Sequence, residues 1–129
     1  MPAATGAKLA CPDRPVVALI GDGGIQFTIG ELATAVELEL GLPILLWNNR
    51  GYGEIKQYML DRDIPTIGVD IHTPDFQTIA RGFGCHAVRL DSAAQLREEL
   101  RKAHAARRPT VIEIDDAAAQ RWWSAAGIR

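Results

Sequence analysis

One carboxylate enclosed by glycines and one pair of asparagines are the residues of this chain that could do chemistry. Gly21-Asp22-Gly23-Gly24 follows the apolar run Val16–Ile20, and Asn48-Asn49 follows the apolar run Pro43–Trp47. The Asp22 carboxylate, the Asn49 amide oxygen and a nearby backbone carbonyl would form an oxygen-only ligand set with little charge. Such a set suits Mg²⁺, which usually completes its coordination shell with substrate phosphates and water. Gly23 and Gly24 have no side chains, so a phosphate could approach their backbone N–H groups closely.

Strands must bring these two groups together, and the apolar runs predict where the strands lie. Short β-branched or apolar runs of this kind are typical of strands buried on both faces. The predicted strands are Val16–Ile20, Pro43–Trp47, His86–Leu90 and Thr110–Ile114. Because the carboxyl ends of adjacent parallel strands lie at the same edge of a sheet, Asp22 and Asn49 should face one pocket.

Helical patterns alternate with the strands. We expect a helix from Ile29 to Leu40, opened by a capping box of Thr28 and Glu31 and ended at Gly41. Its N-terminus would point at the Asp22 site and attract anions. Met1–Ala10 is predicted to be the end of a helix. Further helices are predicted over Glu54–Leu60, from Thr73-Pro74-Asp75 into Phe76–Arg81, and over Ala93–Ala106 behind Ser92 and Gln95.

Strand–helix–strand alternation predicts an α/β fold with a doubly wound parallel sheet. Helices would cover both faces of the sheet in a three-layer α/β/α arrangement. We expect residues 1–129 to form one partial domain that is incomplete at the N-terminus, because the helix in Met1–Ala10 has nothing before it to bury its apolar side.

Composition excludes several functional classes. The chain has 129 residues, 47% of them hydrophobic, and a formal net charge of −2 with 14 basic and 16 acidic side chains. That balance gives no basic footprint for nucleic acid. No apolar run approaches the roughly 20 residues of a membrane helix, and Met1–Ala10 lacks the pattern of a signal peptide. We therefore predict a cytoplasmic protein with neither nucleic acid nor membrane as a partner.

The motif "GDGG" followed by "NN" resembles the signature of thiamine-diphosphate-dependent enzymes. The flanking sequence, from "PAATGAKLACPDRPVVALIGDGGIQFTIGEL" to "GLPILLWNNRGYGEIKQYM", is similar to the acetolactate synthase and 2-oxo acid decarboxylase branch, and the resemblance extends from about Pro2 to Ile114. It implies an enzyme that decarboxylates a 2-oxo acid, with or without ligation of the product, and that uses thiamine diphosphate and Mg²⁺ as cofactors.

The resemblance also implies the roles of individual residues. Asp22, Asn49 and the backbone carbonyl of Gly51 would bind Mg²⁺. Gly23 and Gly24, in the turn that Gly21 opens, would touch the diphosphate. The residues expected along the cofactor are Tyr52, Gly53, Glu54 and Ile55.

The helix after this loop departs from both subfamilies. Acetolactate synthases typically carry Met, Val and Trp where this chain has Glu54, Ile55 and Tyr58, and pyruvate decarboxylases typically carry a catalytic glutamate at the position of Ile55. We hypothesise that Glu54 and Tyr58 face the substrate and that Glu54 favours a polar or cationic 2-oxo acid, such as a guanidino acid. The alternative is that Glu54 only begins a helix, where an acid suits the helix dipole.

Two expected parts of such an enzyme have no counterpart in the chain. The family's activating glutamate comes from a separate pyrimidine-binding domain, usually on a partner chain, and the residue that bends thiamine precedes the GDG motif. We therefore expect a fragment that works within a homo-oligomer and is inactive alone, with its catalytic residue elsewhere.

Two other functions compete with this interpretation. A Rossmann-type dinucleotide-binding domain would match Gly21 and Gly23, but Gln26 stands where its third glycine belongs and no ribose-binding acid follows the second strand. A receiver-like signalling module would use Asp22 as its phosphorylated acid, but it needs further acids that the first strand lacks.

Overall fold

A computed structural model of the chain describes residues 1–125 and residue 127. Four strands form one parallel sheet in the order β1-β2-β4-β3. The strands are β1 (Ala18–Gly21), β2 (Pro43–Asn48), β3 (His86–Arg89) and β4 (Thr110–Asp115). The helices are α1 (Pro2–Ala10), α2 (Asp22–Gln26), α3 (Glu31–Glu37), α4 (Gly53–Leu60), α5 (Phe76–Gly82), α6 (Leu96–Ala105) and α7 (Asp116–Ala125), with a 3₁₀ turn over Ala93–Gln95.

Apolar clusters lie on the two faces of the sheet, which confirms the predicted three-layer α/β/α fold. Alternate strand residues such as Ile44, Leu46 and Val111 pack with α2, α3 and α5 on one face. Ile112 and Ile114 pack with α6 and α7 on the other. Within the described part of the chain, none of the helices has the length and apolar character needed to cross a membrane.

The helix predicted from Ile29 to Leu40 is present but shorter, because α3 runs only from Glu31 to Glu37. A separate short helix, α2, begins directly at Asp22. Helix α3 begins only at Glu31, and no side chain caps its N-terminus. The expected capping box fails because the backbone N–H of Glu31 donates to the carbonyl oxygen of Thr28, at 3.1 Å, and the buried Thr28 hydroxyl has no partner.

The assignment of Gly41 as the helix stop is also wrong. Helix α3 ends at Glu37, and the left-handed residue after it is Glu39, with φ 49°. Gly41 instead allows a close packing contact, because a Cβ atom there would lie 2.5 Å from the carbonyl oxygen of Ala106 and 2.8 Å from that of His104.

Side-chain caps elsewhere differ in part from expectation. Asp75 opens α5 as predicted and accepts the N–H groups of Gln77 and Thr78. The hydroxyl of Thr78 also donates to Asp75, which holds the pKa of that carboxyl below its ordinary value. Before α6, Ser92 makes no cap bond, and the Gln95 side chain accepts from the N–H of Asp91 at 2.9 Å.

The segment after β4, predicted only as a tail, is helix α7. Trp122 packs on the second apolar cluster, and the ring of Trp123 stacks on Trp47 with centroids 5.3 Å apart. The indole N–H of Trp47 donates to Asp116 at 2.8 Å. These contacts join α7 to β2 immediately before its terminal Asn48.

Substitution of Gly41 tests the close contact between the α3–β2 connection and the end of α6. We expect Gly41→Ala to lower the free energy of unfolding by about 1–3 kcal/mol, because backbone must move to make room for the methyl group. Urea denaturation measures the change. Gly6→Ala is the control, since the position in α1 has open space and alanine is the better helix former; equal effects at both positions would contradict the packing argument.

Candidate functional site

The carboxyl ends of β1 and β2 lie side by side at one edge of the sheet, as the sequence predicted, and form the candidate site. The two strands are adjacent and parallel, with Gly21 paired to Trp47. Asp22 therefore leaves β1 beside the point where Asn49 leaves β2. The Asp22 side chain is buried, with 1% of the residue exposed, whereas Asn49 is exposed at the edge.

Three polar groups converge at this edge. One terminal atom of the Asn49 amide lies 3.0 Å from Asp22 Oδ1 and 2.8 Å from the carbonyl oxygen of Gly51, and both neighbours are acceptors. With its NH₂ group in that position, the amide donates to both. With its oxygen there, three oxygens face one another and require a cation between them.

The spacing of these atoms is that of two hydrogen bonds, and it is also compatible with Mg²⁺. Adjacent ligands of an octahedral Mg²⁺ ion with bonds of 2.0–2.1 Å are separated by about 2.9 Å. The two measured separations, 3.0 and 2.8 Å, lie on either side of that value. The candidate set consists of one carboxylate, one amide and one backbone carbonyl; the described residues contain no group of three His, Cys, Asp or Glu side chains that could hold a metal.

A second bond holds the loop against the carboxylate. The backbone N–H of Gly51 donates to Asp22 Oδ2 at 3.0 Å. Oδ1 thus faces Asn49 while Oδ2 is occupied by the loop. The carboxylate therefore orients the loop that carries the other two candidate ligands.

Glycines permit the close approaches around the site. A Cβ atom on Gly23 would lie 2.6 Å from Cε1 of Tyr52, whose ring covers that position, and one on Gly53 would meet the other terminal atom of the Asn49 amide. One on Gly51 would lie 2.6 Å from the carbonyl oxygen of Val69, which accepts the N–H of Tyr52 at 2.9 Å. The space at Gly23 that we expected to admit a phosphate holds the Tyr52 ring, whereas Gly24 is exposed.

An open cavity of about 260 Å³ brings together all ten residues predicted to contact the cofactor. They are Gly21, Asp22, Gly23, Gly24, Asn49, Gly51, Tyr52, Gly53, Glu54 and Ile55. Glu54 lies in the first turn of α4 and is exposed. Tyr58 does not line the cavity; it lies one turn further along α4, and the guanidinium of Arg62 covers its ring at 3.6 Å.

Sequence reasoning missed residues that support the site from behind. Val69 is buried within the irregular segment after α4 and anchors Tyr52, and nothing in its local sequence marks it. Asn48 was treated only as part of the asparagine pair, yet its Oδ1 accepts the N–H of Arg50 at 3.1 Å. Glu113 belongs to no recognised motif, but a single acid in the apolar strand Thr110–Ile114 was a usable signal.

Comparison with known proteins now decides the family. Residues 1–114 match the family described as thiamine pyrophosphate enzyme, C-terminal TPP binding domain. The chain belongs to this family. Because the match covers most of the chain and includes both strand ends, it decides against the dinucleotide-binding and receiver-like alternatives.

Individual proteins that resemble this chain are named as decarboxylases or as acetolactate synthases. A Pseudomonas aeruginosa protein named "Probable 2-ketoarginine decarboxylase" is 41% identical over 121 residues, covering 93% of this chain and 22% of that protein. An acetolactate synthase of Bacillus subtilis is 34% identical, covering 88% and 20%. A solved thiamine diphosphate-dependent 4-hydroxybenzoylformate decarboxylase of Rhodococcus jostii superposes with a TM-score of 0.81 and 34% identity, covering 89% and 22%. The chain thus spans about a fifth of the length of these relatives.

Substitution of Gly51 tests whether Val69 packs against the candidate ligand loop. We expect Gly51→Ala to shift the Tyr52 and Val69 amide signals in NMR spectra and to lower the free energy of unfolding by about 1–3 kcal/mol, because the new methyl group would contact the Val69 carbonyl. Gly82→Ala is the control, since nothing lies within 4 Å of a Cβ atom there. Unchanged signals at Tyr52 and Val69 would show that the loop does not depend on this contact.

Proposed function

We propose that this chain binds the diphosphate of thiamine diphosphate through a Mg²⁺ ion held by Asp22 Oδ1, Asn49 Oδ1 and the carbonyl oxygen of Gly51. It would do so as part of an enzyme that decarboxylates a 2-oxo acid, with or without ligation of the product. The observation that carries the proposal is the convergence of these groups at 3.0 and 2.8 Å. Membership of the thiamine pyrophosphate enzyme family supports the same cofactor.

The diphosphate would lie beside the first turn of α2. That helix begins at Asp22, so the N–H groups of its first residues have no acceptor within the helix. Gly24 is exposed, and a Cβ atom there would make only an ordinary contact, at 3.6 Å from Ile20. Its backbone is therefore the accessible anion-binding group, while Gly23 lies beneath Tyr52.

The division of labour follows from the residues present. Thiamine diphosphate, when bound, supplies the carbanion-stabilising chemistry, and the protein supplies binding and orientation. In this chain Asp22 and Asn49 would fix the metal, Gly51 would add its carbonyl, and Ile55 would offer an apolar contact at the cavity wall. The activating glutamate would come from a pyrimidine-binding domain or partner chain.

A cationic 2-oxo acid, such as a guanidino acid, is the substrate class that we favour. Glu54 lines the cavity, and among the described residues no side chain or backbone group donates a hydrogen bond to it. Tyr58 lies on the same face of α4 but outside the cavity, where its ring stacks with Arg62, so Glu54 alone carries this part of the proposal. The relative named for 2-ketoarginine, itself a guanidino acid, is also 41% identical to this chain.

The proposal also covers the assembly of the enzyme and its location in the cell. Because the cavity is open to solvent, other domains must cover the cofactor during the reaction. We propose that residues 1–129 form part of a cofactor-binding domain within a homo-oligomeric, cytoplasmic enzyme.

Replacing the candidate metal-binding carboxylate tests the site directly. We expect Asp22→Asn to weaken binding of thiamine diphosphate in the presence of Mg²⁺ by at least about tenfold, because the site loses its only negatively charged ligand. Isothermal titration calorimetry with the cofactor, with and without Mg²⁺, measures the change. The wild-type chain should require the metal.

Asp61→Asn is the matched control, since it removes the same charge from the exposed end of α4. An Asp22→Asn chain that binds the cofactor as tightly as the Asp61→Asn chain would refute the proposed metal site.

Replacing Glu54 tests the substrate class. In an enzyme that unites this chain with a pyrimidine-binding domain, we expect Glu54→Gln to lower kcat/KM for a guanidino 2-oxo acid by about tenfold relative to a neutral one, since a partly desolvated ion pair is lost. Glu31→Gln is the control. It removes an acid from the first turn of α3, so it reproduces only the loss of a favourable interaction with a helix dipole. If the preference between the two substrates is unchanged, the favourable interaction with the helix dipole is the only role left for Glu54.

A further inference from the structure

Glu113 is a buried carboxylate that the proposed chemistry does not use. It lies in the middle of β4, between Ile112 and Ile114, and only 1% of it is exposed. Burying a carboxylate in an apolar strand is costly unless hydrogen-bond donors surround it. The groups that donate hydrogen bonds to this carboxylate therefore indicate its structural role.

Donors from three elements surround the Glu113 carboxylate. Asn48 Nδ2 at the end of β2 donates to Oε1 at 2.8 Å. Gln77 Nε2 of α5 donates to Oε2 at 2.9 Å, and the same amide donates to the carbonyl of Val88. The guanidinium of Arg89 on β3 donates to both oxygens, at 3.2 and 3.0 Å.

An acceptor-only group at this point dictates how the Asn48 amide is turned. An ionised carboxylate has no hydrogen to donate, so the Asn48 NH₂ group must face it. The Asn48 oxygen then faces the opposite way, where it accepts the backbone N–H of Arg50 at 3.1 Å. Arg50 is a non-glycine residue with φ 63°, a left-handed conformation that needs support from its surroundings.

The turn that this bond supports carries the candidate ligands. Asn49 and Gly51 are the residues on either side of Arg50, and a change in the Arg50 backbone would move both. We infer that Glu113 is a positioning residue: through Asn48 it fixes the left-handed turn that presents Asn49 and Gly51. The consequence for metal affinity rests on the proposed function, whereas the effect on the turn does not.

Glu113→Gln is the first test. We expect the oxygen of the introduced amide to take the side of Gln77, whose NH₂ group is also held by the Val88 carbonyl, and of the shorter Arg89 contact, at 3.0 Å. Its NH₂ group then faces the NH₂ group of Asn48. Asn48 would then turn its oxygen away from Arg50. We expect the Arg50 amide to exchange with solvent about fivefold to tenfold faster in NMR hydrogen exchange, as befits the loss of one hydrogen bond.

A reciprocal swap separates orientation from general damage. In the double variant Asn48→Asp/Glu113→Gln, the NH₂ group introduced on β4 can donate to the carboxylate introduced on β2. The second oxygen of that carboxylate can accept the Arg50 N–H, and the amide oxygen on β4 stays available for Gln77 and Arg89. We expect wild-type protection of the Arg50 amide to return, which loss of core packing alone would not allow.

Glu98→Gln is the control, because it also removes a carboxylate bonded to an arginine, but on the surface of α6. Unchanged Arg50 exchange in Glu113→Gln, or no recovery in a folded double variant, would overturn the inference. If Glu113→Gln does not fold, the double variant decides by the same measurement.

Titration with Mn²⁺ and thiamine diphosphate, followed by water proton relaxation, tests the functional consequence separately. We expect Glu113→Gln to weaken Mn²⁺ binding by about tenfold relative to Glu98→Gln. Absence of Mn²⁺ binding by the wild-type chain would count against the proposed function, and the exchange rates of Arg50 would still decide the role of Glu113.

Discussion

Parallel pairing of β1 with β2 is the constraint on which the rest of the structure depends. It places Gly21 opposite Trp47, so that the first residues beyond each strand, Asp22 and Asn49, emerge at one edge. Had the strands run antiparallel, their carboxyl ends would lie at opposite edges. The crossover through α2 and α3 makes the parallel arrangement possible, and the apolar clusters on both faces hold the sheet in it.

Close contacts and hydrogen bonds hold the loop at this edge. Asp22 uses one oxygen to hold the N–H of Gly51 and directs the other toward Asn49. Gly23, Gly51 and Gly53 allow Tyr52, Val69 and the Asn49 amide to approach at distances that a methyl group would prevent. Behind them, Glu113 binds donors from β2, α5 and β3, so that one buried charge joins three elements beneath the loop.

The sequence sufficed for features that depend on local pattern or on strand direction. Apolar runs located the four strands, and the position of Asp22 and Asn49 after two of them placed both residues at one edge of the sheet. Features that depend on competition between hydrogen-bond partners, or on contacts distant in sequence, could not be predicted from the local pattern. Thr28 and Glu31 have the residue types of a capping box, but the Thr28 carbonyl takes the bond. Gly41 resembles a helix stop, yet it is needed by a contact with Ala106, distant in sequence.

The charge of the candidate ligand set has a consequence for the order in which ligands can bind. One carboxylate cannot neutralise a divalent cation, so a metal in this site alone would retain positive charge near the first turn of α2. A diphosphate would supply the missing negative charge, and each ligand would then strengthen the binding of the other by the same factor, as thermodynamic linkage requires. Removal of either one would therefore weaken the binding of the other by that factor.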